Sequence, residues 1–147
     1  MTLTGLVHDA VRRGDVASLE ALLRGHAALA NSVSETDPRG TYPLHVAAEF
    51  GQAEAARLLI QHGADVTRLD AENAATALCW AGFFGRPAVA AVLLDARSEP
   101  SQRNRHGLTP LGCAAAGARG EWQQFSNATL DEWRQTADVI RARGGVE

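Results

Sequence analysis

Five histidines, two cysteines and 17 acidic side chains are the groups that could do chemistry in this 147-residue sequence. His45, inside the triplet Pro43-Leu44-His45, is of the type that serves as a general base. Cys79 and Cys113 lie far apart in no metal-type spacing, and a pair of reduced thiols is the simplest reading. Near the end of the chain His106, Cys113, Glu121 and Asp131 stand around Trp122. They are the candidates for a small-molecule binder or enzyme with a pocket in that region, but their spacing matches no nucleophile–base or metal signature. Arg97, Arg103, Arg105 and His106 form a basic cluster in which arginine could pair bidentately with a carboxylate or phosphate, although Glu99 dilutes it. The chemistry-bearing residues thus give an expectation of no catalysis, no metal and no cofactor.

Composition narrows the classes further. Hydrophobic residues make up 46% of the chain and charged residues 21%, the balance of an ordinary globular protein. Aromatic residues are only 5%, while alanine occurs 28 times, so the core must rely on small side chains between closely packed helices. The formal charge of −3 and the absence of a basic block argue against a nucleic-acid partner. No run of 18 apolar residues exists, so no membrane span is expected. The first residues lack a charged leader followed by a long apolar stretch, which favours a cytoplasmic location over secretion. All 14 basic residues are arginine, a bias that points to a GC-rich, bacterial-type coding sequence.

What must position these residues is an internal repeat. Leu44, Leu78 and Leu111 stand 34 and 33 residues apart, within "TYPLHVAAEFG", "ATALCWAGFFG" and "LTPLGCAAAGA". The following segments superpose as well, with Leu58-Leu59 over Val92-Leu93. Upstream, Val7 occupies the Leu44 place and Gly14 the Gly51 place. Proline at a first helical turn loses no hydrogen bond, and Gly51 and Gly85 suit the left-handed residue that ends a helix. Ala55, Leu58 and Leu59, like Val89, Val92 and Leu93, recur at helical spacing.

The pattern resembles the ankyrin repeat. It is carried by Gly40, Pro43-Leu44-His45, Ala47-Ala48, Gly51, Leu58-Leu59 and Gly63-Ala64-Asp65-Val66, then by Thr76, Leu78, Gly85, Thr109-Pro110-Leu111 and Ala114-Ala115. The resemblance implies an all-α solenoid of about four helix-turn-helix repeats with short hairpin loops. They fall near residues 1–36, 37–70, 71–103 and 104–147, all within one domain. It also implies that Thr76 and Thr109 cap their helices, while Tyr42 leaves the second repeat without that hydroxyl. In this family the triplet histidine ties neighbouring hairpins together through its ring. Cys79 and Gly112 at the same place argue against any dependence on imidazole chemistry, so His45 is expected to be scaffold. Trp80 stands where the family carries a core leucine and is expected to pack inside.

Departures from the pattern mark where individuality lies. The first copy has a polar outer face (Arg12, Arg13, Asp15, Ser18, Arg24) and reads as an amino-terminal cap. Its link to the second copy, through Ser34, Asp37 and Pro38, is a lengthened turn. The last copy carries an insertion near 118–134, where Gly117 and Gly120 are expected to break the first helix. Ser126 or Asn127 would cap a new helix, on which Leu130, Trp133, Ala137 and Ile140 form one apolar stripe. Trp122, Phe125 and Trp133 then either cover the exposed end of the stack or anchor a partner.

Stacking of such units leaves a concave face made of hairpin tips and first-helix ends. The expected contact residues there are Arg12, Arg13, Arg39, Glu49, Phe50, Asn73, Phe83, Phe84, Arg105 and Trp122. Phenylalanines on a face expected to be solvated indicate contact with something, and of the adjacent Phe83 and Phe84 one is expected to be exposed. The reading is a protein–protein interaction module of unspecified partner and oligomeric state. The rival readings are the small-molecule binder or enzyme using the last-repeat pocket, and a structural piece of a larger assembly.

Overall fold

A computed structural model describes residues Met1–Glu147 and contains eight α-helices and no strand. The helices are α1 (Leu3–Arg13), α2 (Val16–Gly25), α3 (Pro43–Phe50), α4 (Ala53–Gln61), α5 (Ala77–Phe84), α6 (Pro87–Asp95), α7 (Pro110–Ala118) and α8 (Leu130–Ala142). They pair antiparallel and stack in two layers. The odd-numbered helices touch in the order α1, α3, α5, α7 and the even-numbered in the order α2, α4, α6, α8. Val7, Leu44, Leu78 and Leu111 are 0%, 3%, 0% and 3% exposed and belong to one continuous core. The repeated leucines therefore do equivalent work in successive layers, as a solenoid requires. None of the helices is long and apolar enough to cross a membrane.

The ends of the first helices follow from single residues. Thr76 Oγ1 accepts from the Cys79 amide at 3.2 Å and Thr109 Oγ1 from the Gly112 amide at 3.0 Å. Each such cap contributes about 1 kcal/mol. Tyr42 gives no such side-chain bond, and its own amide instead donates to His45 Nδ1 at 3.1 Å. That bond fixes the tautomer, so His45 Nε2–H donates to the Ala75 carbonyl of the next hairpin at 2.9 Å. Burial holds the His45 pKa below its ordinary value, which keeps the ring neutral and both bonds intact. His45 is thus scaffold, bridging repeats rather than acting on a substrate.

Hairpins are knitted edge to edge. The Ala71 amide donates to Arg39 O at 2.8 Å and the Arg105 amide to Asn73 O at 2.7 Å. Asp70 organises the middle hairpin: it accepts from the Asn73 and Ala75 amides and, at 3.1 Å, from Trp80 Nε1. Trp80 is accordingly buried, as the repeat alignment implied. In the amino-terminal link Asn31 does the equivalent work, donating to Gly63 O and accepting from the Asp65 amide.

At the end of α4 Gly63 adopts φ +93°, and at the matching place after α6 Arg97 is forced to φ +67°. A side chain there costs about 1–2 kcal/mol, partly offset because glycine gives the unfolded chain more freedom. Arg97 is exposed and no ion pair holds it. Arg97→Gly is therefore expected to stabilise the fold by about 0.5–1 kcal/mol, read as a higher urea midpoint at unchanged slope. A lower midpoint would show that the arginine side chain contributes more than its backbone costs.

The last repeat differs from expectation at three points. Gly117 does not break α7 but lies inside it, because a Cβ there would fall 2.1 Å from Trp133 Cδ1. The turn comes later, at Gly120 with φ +87°. Thr129, not Ser126 or Asn127, caps α8, accepting from the Glu132 amide while Glu132 Oε1 accepts from the Thr129 amide. Along α8 the buried side chains are Trp133, Thr136, Ala137 and Ile140, with Leu130 only half-buried.

Candidate functional site

A cleft of about 640 Å³ opens on the concave side, lined by Glu49 near the end of α3, by α5, by Cys113 of α7 and by the neighbouring hairpins. Its position follows from the hairpin bonds and helix caps above, which hold the two rims apart. One wall is aromatic. Phe83 lies 4.8 Å from Trp122 and 5.7 Å from Phe125, centroid to centroid, and meets Phe84 edge-on at 4.9 Å. Trp80 continues the row, 5.7 Å from Phe84 and 5.1 Å from His45.

The insertion supplies half of that wall, and its placement has a clear cause. The last carbonyls of a helix lack internal partners, and side chains from or beside the insertion satisfy them here. Trp133 Nε1 donates to Phe83 O at 3.0 Å and Ser126 Oγ to Phe84 O at 2.8 Å. The Arg86 guanidinium donates to Glu49 O and, at 2.8 Å, to Asn127 Oδ1, tying α3 to the insertion. Burial lowers the Arg86 pKa, with Glu132 and Glu49 opposing that shift. Trp122 is set by a bond from Nε1 to Cys113 O at 2.9 Å. The insertion therefore divides its labour: Trp133 fills the space between α5, α7 and α8, while Trp122 and Phe125 turn onto the concave face.

The opposite rim is polar. Arg39 pairs with Asp37 at 2.8 Å and Glu49 at 2.9 Å and lies 4.8 Å over the Trp80 ring. The bond from Arg39 is the chief reason the Asp37 pKa falls below the usual carboxylate range, and the same pairing raises that of Arg39. On the hairpin side His106 Nε2 and Asn73 Oδ1 are 3.2 Å apart. The cleft thus combines an apolar wall with a rim on which Arg39 is held between two carboxylates.

Six of the ten residues expected at a partner face line this cleft together: Arg39, Glu49, Asn73, Phe83, Phe84 and Trp122. Phe50 and Arg12 fall instead in a neighbouring hollow of about 610 Å³ towards the amino terminus, which shares Arg39 and Glu49. Arg13 lies outside both, paired with Asp9 at 2.8 Å and Asp15 at 3.6 Å. Arg105 also lies outside, its guanidinium fastened to the Glu72 and Ala71 carbonyls. Of the adjacent rings Phe84 is buried, at 8% exposure, and Phe83 half-buried, whereas Phe50 and Phe125 are 43% and 56% exposed.

Cys79, Trp80, Asn104, Cys113 and Phe125 are among the lining residues outside the expected partner face. A polar insertion carrying two aromatic rings, Trp122 and Phe125, was the signal for Phe125, and the core position of Trp80 hid its edge on the cleft. His106 and Cys113 do line the cleft, but their nearest polar partners are Asn73 and Cys79. Glu121 pairs with Arg119 and Asp131 with Gln135, so the four are not brought together. Arg103 and Arg105 spend their donors on backbone carbonyls, leaving no shared anion seat with Arg97.

A family model for ankyrin repeats in three copies matches residues 7–104. Among curated proteins, the ankyrin repeat domain-containing protein 13C-A of Xenopus laevis is 37% identical over 67 residues, covering 46% of this chain and 12% of the relative. An ankyrin repeat-containing protein of Treponema pallidum (strain Nichols) is 40% identical over 80 residues, 54% of this chain and 27% of that protein. The E3 ubiquitin-protein ligase Ufd4 of Drosophila melanogaster aligns over 95% of this chain at 26% identity, but over only 5% of its own length. The chain therefore spans a small part of each of these relatives.

Proposed function

The chain belongs to the ankyrin repeat family, and on that premise we propose that it is a binding module whose concave cleft holds a segment of a partner protein. Ankyrin repeats are in general protein–protein interaction modules. The single observation that carries the reading is the aromatic wall of Phe83, Trp122 and Phe125, kept at the surface although the stack has a continuous core to bury such rings in. Apolar surface of this kind is retained where something covers it. A rigid frame of helix pairs lowers the entropic cost of association, since little must be ordered on binding.

In this proposal Phe83, Trp122 and Phe125 supply apolar contact, with Phe84 beneath them. Arg39, Glu49 and Asn73 form the polar rim that orients the partner. Phe50 and Arg12 extend the surface into the neighbouring hollow, whereas Arg13 and Arg105 serve their own repeats. The two unlinked thiols accord with a reducing compartment such as the cytoplasm. A photo-crosslinking residue placed at Phe125 is expected to trap a protein partner in cells of the native organism, and one at Gln61 on α4 is not. Identical products from both positions, or none from Phe125, would overturn the proposal.

A further inference from the structure

Cys79 and Cys113 belong to successive repeats, yet their Sγ atoms are 3.7 Å apart. The proximity is built in. α5 and α7 approach so closely at Gly82 that a Cβ there would lie 2.4 Å from Pro110 O and 3.3 Å from Cys113 Cβ. Both thiols are free and buried, and both form part of the cleft wall beside Trp122. Leu108 O lies 3.8 Å from Cys79 Sγ, and the Asn104 side chain also reaches that sulfur. The neighbouring thiol and burial raise the Cys79 pKa, so Cys79 rests as a protonated thiol against the Cys113 sulfur.

We infer that Cys79 and Cys113 form a chelating dithiol for trivalent arsenic, taken up as arsenite or as an arsenical with one organic substituent. Span excludes a linear ion, and ligand count and charge choose among the bent ones. Two bonds of about 2.3 Å, the usual length from a soft ion to a cysteine sulfur, close a gap of 3.7 Å at an angle of about 107°. A bent centre, pyramidal or tetrahedral, accommodates that angle, whereas a linear two-coordinate ion would need the sulfurs about 4.6 Å apart. The wall offers two soft ligands, and no group of three or more His, Cys, Asp or Glu side chains surrounds them. A tetrahedral ion would have to bring the rest of its shell with it. Arsenic needs only one further bond, which it carries itself, and its dithiolate is neutral, so no charge enters a buried place.

The reaction balances without an oxidant or reductant. The hydrated oxide of the arsenical carries two As–OH bonds. Both break as two As–S bonds form, and each thiol proton leaves with a hydroxide as water. Arsenic remains trivalent throughout. An organic substituent on arsenic would lie towards the cleft, where Trp122 and Phe83 form an aromatic wall.

The test uses the full, reduced, folded chain and one equivalent of phenylarsine oxide. Intact-mass measurement is expected to show one phenylarsenic group gained and two protons lost. Trp122 lies beside the pair, so indole fluorescence is expected to fall in parallel. The adduct should withstand excess glutathione and be removed by dithiothreitol. Cys79→Ala and Cys113→Ala, each checked for helical content, should release the probe about 100-fold faster, the advantage that a second tethered bond confers. Equal retention by the single variants and the parent would overturn the inference. So would labelling that requires urea, or a mass lower by two protons in the reduced chain. The inference is independent of the partner reading, because cross-linking at Phe125 and arsenical retention report on different groups.

Discussion

Trp133→Ala is expected to lower the unfolding free energy by about 3–5 kcal/mol, the range for removing a fully buried large aromatic side chain. Trp133 is completely buried, and its ring fills the space between α5, α7 and α8. Truncation loses the transfer term and leaves a cavity. It also strips the Phe83 carbonyl of the donor that satisfies the end of α5. Against a total of about 5–15 kcal/mol for a domain of this kind, the loss is severe. The specific claim concerns the fit against Gly117. Gly117→Ala alone drives a methyl into the indole, and it should destabilise strongly as well. With Trp133→Ala already present, the methyl enters vacated space, so the double variant should be more stable than the sum of the two losses predicts. Urea unfolding of the four proteins measures the coupling. Additivity within about 0.5 kcal/mol would show that the ring does not rest on the glycine.

Gly82→Ala should destabilise as well, less severely and for a different reason. The new Cβ meets the Pro110 carbonyl oxygen at 2.4 Å, and that atom belongs to backbone, not to the tip of a flexible side chain. Relief requires α5 and α7 to part along their length. Overpacking of this sort costs about 1–3 kcal/mol and occasionally more. Alanine's better helix propensity returns about 1 kcal/mol. A net loss of about 1–2 kcal/mol is expected, since the clash is with backbone, accompanied by faster amide exchange in both helices. A variant as stable as the parent would mean that the two helices approach less closely than described here.

The layered stack was legible because the same physical problem is solved repeatedly at one period. Leu44, Leu78 and Leu111 announce a shared interior, Thr76 and Thr109 announce helix starts, and Gly51 and Gly85 announce helix ends. Most of the cleft was legible by the same logic, since Glu49, Phe83 and Phe84 precede those glycines. Legibility failed where the period stops. Gly117 looked like a helix breaker because glycine usually is one, and only the distant Trp133 explains why it sits within α7. Thr129 caps α8 outside any repeated register, so Ser126 and Asn127 competed with it on equal terms. The insertion seemed to pose a choice between end cover and binding loop because composition cannot assign three aromatic rings to two faces. Phe83 and Phe84 could not be ranked by burial, since that depends on which ring Trp122 leans against. The contact between Cys79 and Cys113 was hidden because one follows its repeat's leucine directly and the other by two places.

The way Trp133 wedges against Gly117 bears on how such an array can lengthen. Duplicating the unit formed by α3 and α4, or by α5 and α6, creates surfaces that its neighbours already know how to meet. A unit of any other sequence inserted between α6 and α7 would part Trp133 from α5 and leave the Phe83 carbonyl without its donor. Growth of this stack by unequal exchange is therefore open in the middle and barred at that one boundary.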